Sequence, residues 1–246
     1  MDAELRELAS YLVDKLEHLP DNQRYLVGIA GSPASGKSTA AQLLVGHVNK
    51  ALETRAAGHE PHGTHPHAIL VGLDGWHLTR AQLDAMPDPE LAHDRRGAHW
   101  TFDGPNYVDF VRSLRTELGS DIEFVGQVLS APSFDHALKD PTPNAIVIHP
   151  YHKIVVIEGL YTFLSIEPWI AASKLLDERW WVEVDEEEAK QRLIKRHVRS
   201  GVVKHEEEAL WRAEQNDLPN GRFVRNNMLE PTRIIQSKHD DALVHI

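Results

Sequence analysis

Gly31-Ser32-Pro33-Ala34-Ser35-Gly36-Lys37-Ser38 constrains this chain more than any other stretch. It fits G-x-x-x-x-G-K-[ST], in which glycines permit tight backbone torsions and let main-chain N–H groups close around phosphate oxygens. The flanks agree with that use. Tyr25-Leu26-Val27-Gly28-Ile29-Ala30 reads as a short apolar strand, and Thr39-Ala40-Ala41-Gln42-Leu43-Leu44-Val45 reads as a helix continuing to about Leu52. Strand, glycine loop and helix form a phosphate-binding unit, to which the helix start adds its positive dipole end. Gly31, Ser32, Pro33, Ala34, Ser35, Gly36, Lys37, Ser38 and Thr39 are then the nucleotide-binding residues. Lys37 reaches the β- and γ-phosphates, and Ser38 holds Mg²⁺ through its hydroxyl. The alternative is a chance glycine turn before an ordinary helix, which the matching flanks disfavour.

The chain has 246 residues, a net charge of −11 and no cysteine. That length suits one large α/β domain or two small ones, and no linker or repeat divides it, so one domain over 1–246 is expected. The lack of cysteine rules out disulfides and zinc-thiolate sites and fits a reducing, cytoplasmic setting. The acidic balance argues against a nucleic-acid partner, and no apolar run approaches a membrane span. The acidic start, Met1-Asp2-Ala3-Glu4-Leu5, lacks a signal-peptide pattern. Leu5 to Leu19 has helical spacing and is expected to pack on a sheet edge.

Two further apolar runs end in carboxylates. Ala68-Ile69-Leu70-Val71-Gly72-Leu73 delivers Asp74-Gly75, and Lys153-Ile154-Val155-Val156-Ile157 delivers Glu158-Gly159. Such continuous runs suit a buried parallel sheet, whose ligands lie beyond the carboxyl ends of the strands. Asp74 is placed there to take a proton from a substrate hydroxyl or to join a metal's second shell; the alternative is a helix N-cap. Glu158 is placed to polarise a Mg²⁺-bound water. Between the runs, His93 to Pro105 is polar, aromatic and basic and reads as a long functional loop. Arg95 and Arg96 suit phosphate or a polar substrate. Asp103 either binds hydroxyls or caps the helix expected over Asn106 to Leu118. Ala131-Pro132-Ser133-Phe134-Asp135-His136 reads as a turn, and four histidines, His59, His62, His65 and His67, fall in a Gly/Pro-rich loop that reads as solvated, with a metal site the alternative.

Trp180-Trp181-Val182-Glu183-Val184 is a further strand, and Asp185 opens a helix to about Arg199. Arg192, Arg196 and Arg199 share one face of it. After Gly201 a second helix is expected over His205 to Gln215, and Asn216 to Gly221 reads as a turn. Arginines converging near a glycine hinge describe a lid, roughly 192–212, that excludes water and brings positive charge to a phosphoryl group; a solvated charged face is the alternative.

Taken in order, the GSPASGKST loop, the Asp-Gly at Asp74, the Thr-Phe-Asp-Gly-Pro at Asp103, the Ser-Phe-Asp-His at Asp135, the Val-Ile-Glu-Gly at Glu158 and the arginine helix resemble the uridine kinase, pantothenate kinase and phosphoribulokinase group. The resemblance covers Tyr25 to about Asn226. Arg95-Arg96-Gly97-Ala98 before Thr-Phe-Asp looks more like the uridine-kinase-like and sugar-kinase-like branch. It implies a P-loop three-layer α/β fold: a five-stranded parallel core, helices on both faces, a helical lid and a small substrate-side excursion over about 75–145. It also implies ATP and Mg²⁺, with Asp74 as base and with Lys37, Arg192 and Arg196 serving the transferring phosphoryl. The substrate side would comprise Asp74, Arg95, Arg96, Asp103, Phe134, Asp135, His136 and Glu158. The implied partner is a small hydroxyl-bearing acceptor, nucleoside first and pantothenate or sugar next, with a homodimer as the assembly allowed for. Two departures bear on uridine itself: Gly75-Trp76-His77 follows the strand-end aspartate, and Phe134 stands where the family carries a tyrosine.

Overall fold

The computed structural model describes residues 1–56, 65–116, 118, 128–135, 138–201, 203 and 205–238. In chain order the strands are β1 (Tyr25–Gly31), β2 (His67–Gly72), β3 (Leu129–Asp135), β4 (Asp140–Ile148), β5 (His152–Glu158), β6 (Glu178–Glu183) and β7 (Arg233–Gln236). The helices are α1 (Asp2–Leu16), α2 (Lys37–Ala56), α3 (Arg80–Asp84), α4 (Pro89–Asp94), α5 (Gly104–Leu114), α6 (Trp169–Ser173), α7 (Glu186–Arg199), α8 (Glu206–Arg212) and α9 (Leu218–Asn227).

Five strands form one parallel sheet in the order β2-β5-β1-β6-β7. Alternation along the strands divides the core into two layers. Leu26, Ala30, Val155, Ile157 and Trp181 face a cluster with Tyr107, Val111, Phe163 and Trp169. Val27, Ile29, Ile154, Val156, Trp180 and Val182 face α1 and α2 through Leu5, Leu12, Leu44 and Val48. Both faces are thereby covered, as a parallel sheet requires. The first helix lies against this face and α2 rather than on an edge. Its Tyr11 hydroxyl donates to Glu178 at the start of β6.

Two segments expected to be turns are regular. Residues 131–135 belong to β3, which pairs antiparallel with β4, with an irregularity between Ala131 and Ser133. Pro132 suggested a turn, but proline is tolerated where a two-stranded ribbon is interrupted. Asn216 to Gly221 is helical: a π-turn over Ala213–Asp217 joins α8 directly to α9. Pro219 falls directly after the π-turn, in the first turn of α9. The long loop expected from His93 is shortened by α4, whose Asp88 cap accepts from the Leu91 N–H. Ile122-Glu123-Phe124 and Ala242-Leu243-Val244-His245-Ile246, whose apolar residues suit short strands, lie outside the described residues, as do His59 and His62. His67 packs edge-on against Tyr151.

The hairpin matters because it braces the end of β2. A Cβ on Gly75 would lie 2.3 Å from the carbonyl oxygen of Pro132 in β3. Backbone cannot retreat as a flexible side chain can, so Gly75→Ala is expected to cost about 1–3 kcal/mol by overpacking. Gly46→Ala, in α2 where a Cβ meets nothing within 4 Å, should instead gain about 0.5–1 kcal/mol. Urea denaturation of the two variants beside the parent checks both signs.

Candidate active site

The glycine loop is built as its residue types require. Ala34 and Gly36 have φ of 61° and 87°, a region glycine enters freely. A Cβ on Gly31 would lie 2.5 Å from Ser35 Oγ and 2.7 Å from the Val182 carbonyl, so only glycine lets β1 turn into the loop beside β6. The Ser35 N–H donates to the Ser32 carbonyl at 3.0 Å. Its hydroxyl is buried without a hydrogen-bond partner.

Glu158 ends β5 between β1 and β2, in register with Ile29 and Gly72. Its Oε1 lies 3.9 Å from Lys37 Nζ, and both side chains are mostly buried. Burial pushes the Glu158 carboxyl above its ordinary range, and the Asp74 charge adds to this. Lys37 and a hydrogen bond with Ser38 pull the other way. The Walker-A lysine and serine and the β5 carboxylate are thus one electrostatic unit.

Asp74 lies in a 3-10 turn, Leu73–Trp76, directly after β2. Gly72 occupies the position preceding that turn, and α3 is capped by Thr79, so Asp74 is not a helix cap. Its carboxylate is 51% exposed and 3.9 Å from His77 Nδ1.

The arginine helix leans on the loop. Asp185 caps α7, accepting from the N–H groups of Glu187 and Glu188, and glutamates fill the first turn as the macrodipole favours. Arg192 donates to the Ala34 carbonyl at 3.2 Å, to Ser237 Oγ at 2.8 Å and to Glu188 at 2.5 Å. Arg196 is exposed one turn further on. Leu193, Ala213 and Leu218 pack with Ala34 of the loop. A Cβ on Gly221 of α9 would meet Pro33 and Ser32 at 3.2–3.3 Å. His197, buried, pairs with Asp217 at 2.8 Å.

The remaining predicted residues separate by role. Arg96 is engaged, donating to the Leu78 carbonyl and to Asp140 and lying 5.6 Å over the Phe134 ring. Arg95 follows α4, and its Nε is buried without a partner. Asp103 caps α5, accepting from the Asn106 N–H at 3.2 Å. Phe134 packs 4.8 Å from the His77 ring. Asp135 ends β3 and is exposed, and His136 lies outside the described residues. Sequence reasoning missed Asn216, which donates to the Arg96 carbonyl at 3.1 Å, and Tyr161, which donates to the Gly97 carbonyl at 2.7 Å. The turn-like run around Asn216 concealed a helix, and nothing local marks Tyr161 as more than core.

The profile of the Phosphoribulokinase / Uridine kinase family matches residues 26–202. The ATP-dependent kinase-like protein notR' of Aspergillus versicolor is 46% identical over 157 residues, covering 64% of this chain and 89% of that protein. The Schizosaccharomyces pombe protein C227.14, whose name assigns it provisionally to the uridine kinases, is 36% identical over 230 residues, covering 94% and 89%. Among solved structures, YFH7 of Saccharomyces cerevisiae superposes with a TM-score of 0.81 at 25% identity, covering 96% of this chain and 99% of that one. The match agrees with the phosphate loop, the two strand-end carboxylates and the arginine helix that leans on the loop: this chain belongs to the phosphoribulokinase/uridine kinase family of P-loop kinases.

Proposed function

We propose that the protein transfers the γ-phosphoryl of ATP to a hydroxyl of a nucleoside-like small molecule, in the manner of a uridine kinase. One observation carries the reading: Asp74 and Glu158 end neighbouring strands, and the second is coupled to Lys37 and Ser38. A nucleotide-binding switch has less need of a second strand-end carboxylate than a transferase does. Asp74, half exposed, takes the proton of the attacking hydroxyl. Lys37 and the N–H groups of Gly31 to Thr39 hold the phosphates, and Arg192 and Arg196 of the lid balance charge on the transferring group. The work is positioning plus electrostatic stabilisation.

The site fits a hard divalent cation, since Ser38 and Glu158 offer oxygen donors beside the loop. Ser38 would hold Mg²⁺ directly and Glu158 through water; bound there, the ion supplies neutralisation of the β- and γ-phosphate charge. On the acceptor side Arg95, Arg96, Asp103, Phe134, Asp135 and His136 are the proposed contacts. Arg96 acts there by fixing Phe134, because its own charge is already met by Asp140. The second reading, a sugar or pantothenate kinase of the same fold, is favoured by Phe134, which offers no phenolic hydroxyl to a nucleoside. A regulatory NTPase with no acceptor is the reading from another class.

ADP release from ATP, measured with nucleosides, pantothenate and sugars in turn, separates these: a kinase responds to an acceptor, whereas a regulatory NTPase turns over equally without one. Lys37→Ala should reduce turnover by about three orders of magnitude or more, the scale of lost charge stabilisation. Asp74→Asn should leave ATP affinity intact and depress transfer by roughly 10²–10⁴-fold; unchanged transfer would remove Asp74 from the chemistry.

Glu158 adds a pH test. Its folded-state carboxyl is raised by burial, so the folded chain holds this proton more tightly than the unfolded chain. The stabilisation is complete below the ordinary value of 4.5 and is lost as pH rises through the folded-state value. Glu158→Gln removes that slope. The stability of the variant relative to the parent should therefore be greater at pH 8 than at pH 5 in nucleotide-free urea denaturation.

A further inference from the structure

We infer that His77 is a positioning residue of the phosphoryl transfer: it fixes the turn that carries Asp74 and so sets where the carboxylate meets the acceptor hydroxyl. The inference rests on the kinase reading with Asp74 as its base, and deepens it by naming what holds the base in place.

The Asp74 carboxylate has little to orient it directly. It is half exposed, and among the described residues no hydrogen bond reaches either of its oxygens. Its direction is therefore set by the backbone beneath it, the 3-10 turn over Leu73–Trp76. A turn of that kind holds few bonds of its own. His77 closes it twice on one atom. The Asp74 carbonyl accepts from the His77 N–H at 3.1 Å and lies 2.9 Å from His77 Nδ1. A carbonyl only accepts, so Nδ1 carries a proton. The same Nδ1 is 3.9 Å from Asp74 Oδ1, beyond hydrogen-bond reach. His77 thus grips Asp74 through its main chain and leaves both carboxylate oxygens to a substrate.

The imidazole is itself held. Its ring lies 3.9 Å from that of Phe102 and 4.8 Å from that of Phe134 in β3, tilted by 39° to each. Arg96 lies 5.6 Å over the Phe134 ring and is tied to Asp140 of β4. Main-chain bonds secure the chain on both sides of His77. The residue bridges Phe102, the Leu78 N–H donates to the Thr101 carbonyl at 2.9 Å, and the Asp103 N–H donates to the Trp76 carbonyl at 2.7 Å. A side chain locked by packing and by a hydrogen bond is what precise placement of a reacting group demands. Packing alone would be served as well by a phenylalanine between the two rings. The Nδ1 proton is the part that acts on Asp74.

Substitutions at this one position separate the proton from the ring. His77→Asn keeps a donor at the Nδ1 position and loses the ring, His77→Gln moves its donor one bond further out, and His77→Phe keeps the ring without a donor. Acceptor-dependent ADP release from ATP is measured for each with uridine, pantothenate and ribose, beside urea denaturation. His77→Phe and His77→Gln should lower kcat roughly 10- to 100-fold, the scale of a misplaced reacting group, with the KM for ATP unchanged, and His77→Asn should retain most of the parental kcat. In an Asp74→Asn background His77→Phe should cost nothing further, because positioning is worthless once the positioned group cannot react. Equal losses in both backgrounds overturn the inference, as does a full kcat in His77→Phe or a kcat that follows the urea midpoint rather than the donor. Should His77→Phe not fold, the contrast between Asn and Gln decides. One readout needs no acceptor: in nitrogen NMR of the full chain, assigned by difference from His77→Asn, the neutral His77 ring should be the Nδ1–H tautomer, and an Nε2–H tautomer overturns the inference. Failure of the kinase reading looks different: the Nδ1–H tautomer would be present, yet ATP turnover would be indifferent to every acceptor and to Asp74→Asn.

Discussion

A carboxylate buried between three strand ends is the constraint around which this molecule is arranged. Glu158 lies where water is scarce, and the positive charge of Lys37 together with the Ser38 hydroxyl is what makes its ionised form tolerable. That compensation requires β5 to lie between β1 and β2, because only then does the strand-end acid face the first turn of α2. The strand order β2-β5-β1-β6-β7 meets this requirement. The same order places Asp74 of β2 close enough to add its own charge to the group. A site with excess negative charge and a single nearby lysine is primed for a cation, and a metal–nucleotide complex brings one.

The two layers of the core serve different ends. The face bearing α1 and α2 is aliphatic, joined mainly by Leu, Val and Ile, and anchors the helix that begins at Lys37. The opposite face is aromatic, with Trp76, Phe102, Tyr107, Tyr161 and Trp169 in mutual edge-on or tilted contact. Large rings with few rotatable bonds make a stiff platform. The segment after β2 stands on it: His77 packs on Phe102, and His99 stacks on Phe223 of α9. Rigidity is thus concentrated under the segment that carries His77 and His99.

Much of this was legible in the chain because local and global signals coincide there. The apolar runs before Gly31, Asp74 and Glu158 are long enough for buried parallel strands, and each ends in the residue that the site uses. What stayed hidden was set by partners distant in sequence. Pro132 reads as a turn residue until β4 is seen to pair beside it, with an irregularity that absorbs the missing donor. Asn216-Asp217-Leu218-Pro219-Asn220-Gly221 has turn composition, yet its polar side chains are satisfied inside the fold: Asn216 by Arg96, Asp217 by His197 and Asn220 by Asn216. Arg95 and Arg96 read alike in the sequence, and what engages Arg96 lies far along the chain: Asp140, 44 residues away, and the Phe134 ring.

That last group of bonds also ties α7 to the loop that carries Arg96. A π-turn places an extra residue in the helix, which rotates Asn216 and Asp217 out of simple α-helical phase. Asn216 then reaches the loop at Arg96, while Asp217 ties α7 through His197. Arg192 of α7 is itself bonded to the phosphate loop at Ala34. One short irregular turn therefore links the glycine loop, through α7, to the loop that carries Arg96. The His197–Asp217 pair is the bond that joins α7 to the turn, and the Asn216 bond joins the turn to the loop.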